Sequence, residues 1–200
     1  MPDSPFFFPD NTVLINFAIL RRVDLLSWFL RGRGRWCASV EWEWRRSMRA
    51  LSLQRADQGI REACGVALFP DRREQINIDS LVNSLRAPGD PLSQHRGEAE
   101  TVVLIRDRAD LNGSVFISDD AGALRLAEHQ LHGSRCYTTV DILVRAEVAG
   151  RITNDEAHDD LRRLRQEERY VRPADAAGYD IKVARLRDVL LRSRGVQRGA

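Results

Sequence analysis

Two short apolar runs in this chain each end in a carboxylate and pass at once into a helical pattern. Phe6-Phe7-Phe8 stops at Pro9-Asp10 and is followed by Val13, Leu14, Phe17, Ala18 and Leu20 at helical spacing. Ser114-Val115-Phe116-Ile117-Ser118 stops at Asp119-Asp120 and is followed by a helical pattern from Ala121 to His129. A buried strand feeding a helix directly, twice, predicts βαβ units and an α/β fold: a small central parallel sheet flanked by helices in three layers. Ligands in such sheets lie beyond the carboxyl ends of the strands. The residues after Phe8 and after Ile117 are therefore the first candidates for a site.

The other segments fit the same class. Val23 to Leu30 reads as a second helix that stops at Arg31-Gly32-Arg33-Gly34, and Trp36-Cys37-Ala38-Ser39 as a short second strand. A helix starting near Val40 continues with interruptions toward Ala67, carrying Glu41, Trp42, Glu43, Trp44 and an arginine-rich face. Residues 68–92 hold Pro70, Pro88, Gly89 and Pro91 around one short apolar pattern and read as a connecting excursion. An amphipathic helix follows from Gly97 to Ile105, with an acidic first turn that suits the helix dipole. Arg135 to Thr138 reads as another short strand, and two helices follow, the second capped at Thr153 and running through Arg169. The expected organisation is a domain over residues 1–170 and a basic tail over residues 171–200.

Composition removes several function classes. At 200 residues and 43% hydrophobic content the chain can bury a core without disulfides or structural metal. Cys37, Cys64 and Cys136 are an odd set with no CxxC pair, which suits reduced thiols. The longest apolar stretch, Thr12 to Leu20, contains Asn16 and runs into Arg21-Arg22, far short of the roughly 20 residues of a membrane span. No membrane partner and a cytoplasmic location are expected. GxxxxGK[ST] and GxGxxG are both absent, which argues against nucleoside-triphosphate or dinucleotide use. No His-Asp pattern accompanies Ser39 or Ser118. His95, His129, His132 and His158 have no mutual metal-ligand spacing and are given no catalytic role. Net charge is only +2, yet Lys182 is the sole lysine, so arginine carries nearly all positive charge, with an excess after Ile181.

Carboxylates recur where helices begin: Asp10, Glu41 or Glu43, Glu98, and Asp119-Asp120. Each alone is ordinarily a cap or dipole partner contributing about 0.5–2 kcal/mol. As a set they behave differently. If Asp10 and Asp119 follow neighbouring parallel strands, and the helices bearing Glu43 and Glu98 begin at that edge, like charges converge and raise one another's pKa. A hard divalent cation resolves that conflict, and oxygen-only donors suit Mg²⁺ or Mn²⁺ rather than zinc.

These segments resemble the PIN-domain nucleases, and among them the VapC-like toxins of bacterial toxin–antitoxin pairs. Asp10-Asn11-Thr12-Val13-Leu14-Ile15 is similar to the family's opening signature, with the order of the polar pair swapped. Val40-Glu41-Trp42-Glu43-Trp44 resembles the second acidic position in either of two registers, Glu43 being preferred. Gly97-Glu98-Ala99-Glu100 resembles the third, with Glu98 preferred over Glu100. Ile117-Ser118-Asp119-Asp120 followed by Ala123-Leu124-Arg125-Leu126-Ala127 resembles the last, Ser118 standing where Thr is frequent. The likeness spans about residues 6 to 170.

The resemblance implies metal-dependent hydrolysis of RNA phosphodiesters, with Asp10, Glu43, Glu98 and Asp119 catalytic. Asp10, Glu98, Asp119 and Asp120 are then the metal ligands, and Thr12 and Ser118 support them. It also implies a cognate antitoxin protein as partner and a homodimer. An anionic site does not attract RNA unaided, so Arg45, Arg46 and Arg49, beyond Glu43, are the expected substrate-binding rim. Trp42 and Trp44 are candidates for base stacking, although a large aromatic favours burial. The competing reading is a PIN-like module with weak chemistry that holds RNA or a protein through its arginines.

Overall fold

A computed structural model describes residues 5–87, 89, 91 and 94–197, the side chains of 194–197 excepted. The chain divides into two compact units, residues 1–137 and 138–200.

The first unit is built on three short parallel strands, β1 (Phe7–Pro9), β2 (Val115–Ile117) and β3 (Cys136–Tyr137), in that spatial order. The register pairs Phe8 with Phe116 and Pro9 with Ile117, and Phe116 with Cys136. Helices flank the sheet, giving the expected three-layer α/β/α arrangement. They are α1 (Asn11–Leu20), α2 (Val23–Leu30), α3 (Ala38–Ala50), α4 (Asp57–Cys64), α5 (Arg72–Leu85), α6 (Arg96–Asp107) and α7 (Ala121–Gln130). Phe8, Phe17, Leu14, Trp36, Trp44 and Phe116 are fully buried at the core. Because α1 is apolar nearly all round, every residue from Val13 to Leu20 is buried, Asn16 included. Helix α6 is buried in the same way from Ala99 to Ile105.

Two expectations are corrected. The strand expected at Trp36-Ser39 does not form; isolated parallel bridges join Phe7 to Gly34 and Cys37 to Leu68, and α3 already starts at Ala38. The apolar run is too short for a ladder once the helix has claimed half of it. The excursion at 68–92 contains the 14-residue helix α5. Asp71 caps it in a reciprocal box with Glu74, and Ile78 and Val82 pack on Ala99 and Val103 of α6. Pro88 and Leu92 lie outside the described residues.

The second unit holds α8 (Thr139–Val148), α9 (Asn154–Gln166) and α10 (Ala176–Gln197). Capping boxes at Thr138/Asp141 and Thr153/Glu156 start the first two. Most of the segment expected as a basic tail is α10, which packs on α8. Tyr179 and Val183 are buried, Lys182 Nζ lies 2.6 Å from Asp141, and Arg187 lies 3.0 Å from Glu147. Arg198 and the side chain of Arg194 lie outside the described residues. No helix among the described residues is long and apolar enough to cross a membrane.

Candidate active site

The strand register brings the ends of β1 and β2 together. Asp10 N–H donates to the Ile117 carbonyl at 2.8 Å, so Asp10 sits beside Ser118 at the carboxyl edge of β1 and β2. Asp10 is 5% exposed, and its carboxylate accepts from Asn11 N–H (2.7 Å), Thr12 Oγ1 (3.0 Å) and Ser118 Oγ (3.1 Å). Burial nevertheless outweighs these donors and raises its pKa. The two hydroxyls are shared: Thr12 Oγ1 also accepts from Asp119 N–H at 3.3 Å, and Ser118 Oγ from Asp120 N–H at 3.1 Å. Thr12 and Ser118 thus tie the two strand ends into one network around Asp10.

Helices α3 and α6 supply the next two carboxylates. Glu43, on the inner side of α3, accepts the Gly97 N–H at the start of α6. Its pKa is pushed up to about 8, first by burial and then by the negative charges of Asp10 and Glu98. Glu98, in the first turn of α6, is raised by burial and by Asp10, while a hydrogen bond to His95 acts in the opposite direction. His95 Nδ1 lies 2.9 Å from Glu98 Oε2, and His95 caps α6 in a left-handed conformation, φ 63°. Asp10, Glu43 and Glu98 therefore form one electrostatically coupled set.

The alternatives at each position separate by their partners. Glu41 lies on another face of α3 and binds Arg45 at 2.6 Å and Arg61 at 2.7 Å. Burial raises its pKa, but hydrogen bonds from the two guanidiniums bring it below the usual carboxylate range. Glu100 is buried and accepts the Ser39 hydroxyl and, at 3.4 Å, the Ser39 N–H, tying α6 to the start of α3. Asp119 is held by Asn16, whose side-chain amide donates to Oδ2 at 2.8 Å. Asp120 caps α7 through Ala123 N–H at 2.7 Å, though its charge also reaches Glu98.

Sequence reasoning gives no role to Asn16 or Gly97 and denies a catalytic one to His95, which here bonds Glu98. A signal existed for Asn16 alone, because an amide inside an apolar helical run must find a partner when buried. Gly97 makes the close approach of α6 to Glu43 feasible; a Cβ there would stand 2.9 and 3.1 Å from the two carboxylate oxygens.

The donor chemistry of Asp10, Glu43 and Glu98 fits a hard divalent cation: buried and half-buried oxygen ligands, mutually repelling, with no guanidinium or ammonium hydrogen-bonded to them among the described residues. Among the described residues, no group of three or more acidic, histidine or cysteine side chains stands close enough to hold a metal ion as arranged. Each carboxylate is instead engaged by an internal donor.

Arg45, Arg46 and Arg49 lie on the solvent face of α3. With Trp42 and Ala50 they line an open groove of about 630 Å³. Trp44 points the other way, fully buried, its Nε1–H donating to Asp57 at 2.9 Å. No family model, curated protein or solved structure matches this chain.

Proposed function

We propose that this protein is a metal-dependent endoribonuclease whose centre is the carboxylate set of Asp10, Glu43 and Glu98, with Asp119 beside it. One observation carries the reading: the buried Asp10 and the half-buried Glu43 and Glu98, from three different elements, meet at the carboxyl edge of a parallel sheet closely enough that Asp10 raises the pKa of both glutamates. Carboxyl groups with raised pKa values beyond the carboxyl ends of parallel strands stand where α/β sheets bind their ligands, which supports a functional site here. Asp10, Glu98 and Asp119 would hold Mg²⁺ or Mn²⁺, with Glu43 direct or through water. When bound, such an ion lowers the pKa of water and neutralises charge on a phosphate.

The chain's own groups have definable tasks. Thr12 and Ser118 fix the Asp10 carboxylate, and Asn16 fixes Asp119. Glu43, held as an acid up to about pH 8, is placed to accept or return a proton as its neighbours are neutralised. The arginines of α3 offset the anionic edge for an approaching polyanion. The resemblance to the VapC-like toxins extends the proposal to a toxin silenced by a cognate antitoxin protein, acting as a homodimer.

The test is cleavage of a labelled mixed RNA with Mg²⁺, Mn²⁺ or EDTA, beside Asp10→Asn. Cleavage that requires metal and vanishes in the variant supports the reading. If folded protein cuts nothing under any metal, the weak-chemistry binding module replaces it.

A further inference from the structure

The outer face of α3 holds a feature that the carboxylate centre does not use. Trp42, Arg45, Arg46 and Arg49 follow one another at helical spacing and share one face of the helix. Trp42 is 55% exposed, although its neighbour Trp44 shows that this helix can bury an indole completely. The Arg46 guanidinium lies over the Trp42 ring at 5.8 Å, and the groove they line is within the ordinary range of ligand clefts. Arg45 is neutralised by Glu41, but Arg46 and Arg49 have no acidic partner among the described residues.

We propose that this groove is a stacking subsite for single-stranded RNA, in which an unpaired base lies on Trp42 and the flanking phosphates meet Arg46 and Arg49. It rests on the ribonuclease reading and adds to it a base-stacking subsite on the outer face of α3. A helical duplex keeps its bases stacked on one another and offers no face to an indole, whereas an unpaired base does. An aromatic plane beside uncompensated guanidiniums combines the two elements of sequence-tolerant single-strand binding. Trp42 and Glu43 are consecutive residues of α3, so the groove and the acidic edge lie on adjoining faces of one helix. A protein partner is the less favoured occupant, because two uncompensated arginines beside a single exposed ring make a small, strongly charged surface.

The experiment uses the full chain in EDTA, so that nothing is cut. A fluorescein-labelled 12-nucleotide single strand of mixed sequence and a blunt duplex of the same length are titrated by anisotropy. Sedimentation of each protein accompanies the titration. The single strand is expected to bind more tightly than the duplex. Trp42→Ala should weaken its binding about five- to 150-fold, the loss of one stacked base, and Trp42→Phe should restore most of it. Arg49→Gln should lower the slope of log affinity against log salt by about 0.7 for a single strand. Equal binding of duplex and single strand, or no effect of Trp42→Ala, overturns the proposal. So does a dimer that Trp42→Ala converts to monomer, which would make the face a protein interface. If Trp42→Ala binds normally while metal-dependent cleavage persists, the subsite falls and the ribonuclease reading stands. Trp42-dependent binding without cleavage under any metal gives the reverse.

Discussion

Gly97 decides how closely α6 approaches Glu43, because its amide holds that carboxylate and its missing side chain leaves room for it. Gly97→Ala puts a methyl against the tip of a flexible side chain, so Glu43 shifts while the backbone stays. Stability should change by less than about 1 kcal/mol, helped by the better helix propensity of Ala. Metal affinity or cleavage should fall about 10- to 100-fold, the size of an outer-shell perturbation. Calorimetric Mn²⁺ titration beside thermal melts checks both; a large loss of stability with unchanged affinity would make Gly97 purely a packing residue. Glu43 yields a second prediction. Its folded pKa of about 8 stands above the ordinary 4.5, so between those values the folded state binds the extra proton and stability declines as pH rises. Melting in EDTA should therefore drop from pH 5 toward pH 8.5, and Glu43→Gln should flatten that slope. A slope unaltered by the variant would place the ionisation elsewhere.

At the scale of elements, what could be read in the sequence depended on how locally each signal is written. β1 and β2 were legible because an apolar run, a carboxylate and a helical pattern follow one another within a few residues. α6 was legible by its acidic first turn, and α3 as a helical pattern from near Val40 whose end at Ala50 the sequence leaves open. Helix α5 was not, since prolines at 70 and 88 bracket it and only Ile78 and Val82 of its apolar residues are buried. Its stability comes from a partner 34 residues away: Arg108 binds Glu74 at 2.7 and 2.8 Å, and Glu74 also receives the Asp71 N–H. The site divides the same way. Asp10, Glu43 and Glu98 could be chosen as acids near element starts, whereas Asn16 and Gly97 matter through partners distant in sequence, Asp119 and Glu43, and His95 through a bond to Glu98 that no metal-ligand spacing signals. For Glu74, the Arg108 hydrogen bonds pull its pKa down, so its contribution is complete above the ordinary value near 4.5 and is lost as pH falls below it. Glu74→Ala should cost about 2 kcal/mol at pH 7 by removing the cap and the charged hydrogen bonds together. Urea unfolding at pH 7 and pH 3 measures it, and a penalty equal at both would mean that packing rather than charge is lost.

For the molecule as a whole, a net charge of +2 conceals where positive charge is available. The second unit uses part of its excess internally: Lys182 pairs with Asp141, and Arg187 with Glu147, whose side chain is nearly buried. These cations hold α10 against α8 and have already lost much of their counterion atmosphere to a carboxylate. They release little more on meeting RNA. Position in the basic segment therefore does not make a residue part of an RNA-binding arm. Replacing both, Lys182→Met with Arg187→Met, leaves Asp141 and the buried Glu147 without their cations. Stability of the full chain should fall by about 1–3 kcal/mol. The slope of log RNA affinity against log salt should remain as in the unaltered protein, because no phosphate contact has been removed. A slope lowered by about 0.7 to 0.9 for each residue would show instead that these side chains leave their carboxylates for phosphate, and would return α10 to the role of a nucleic-acid contact.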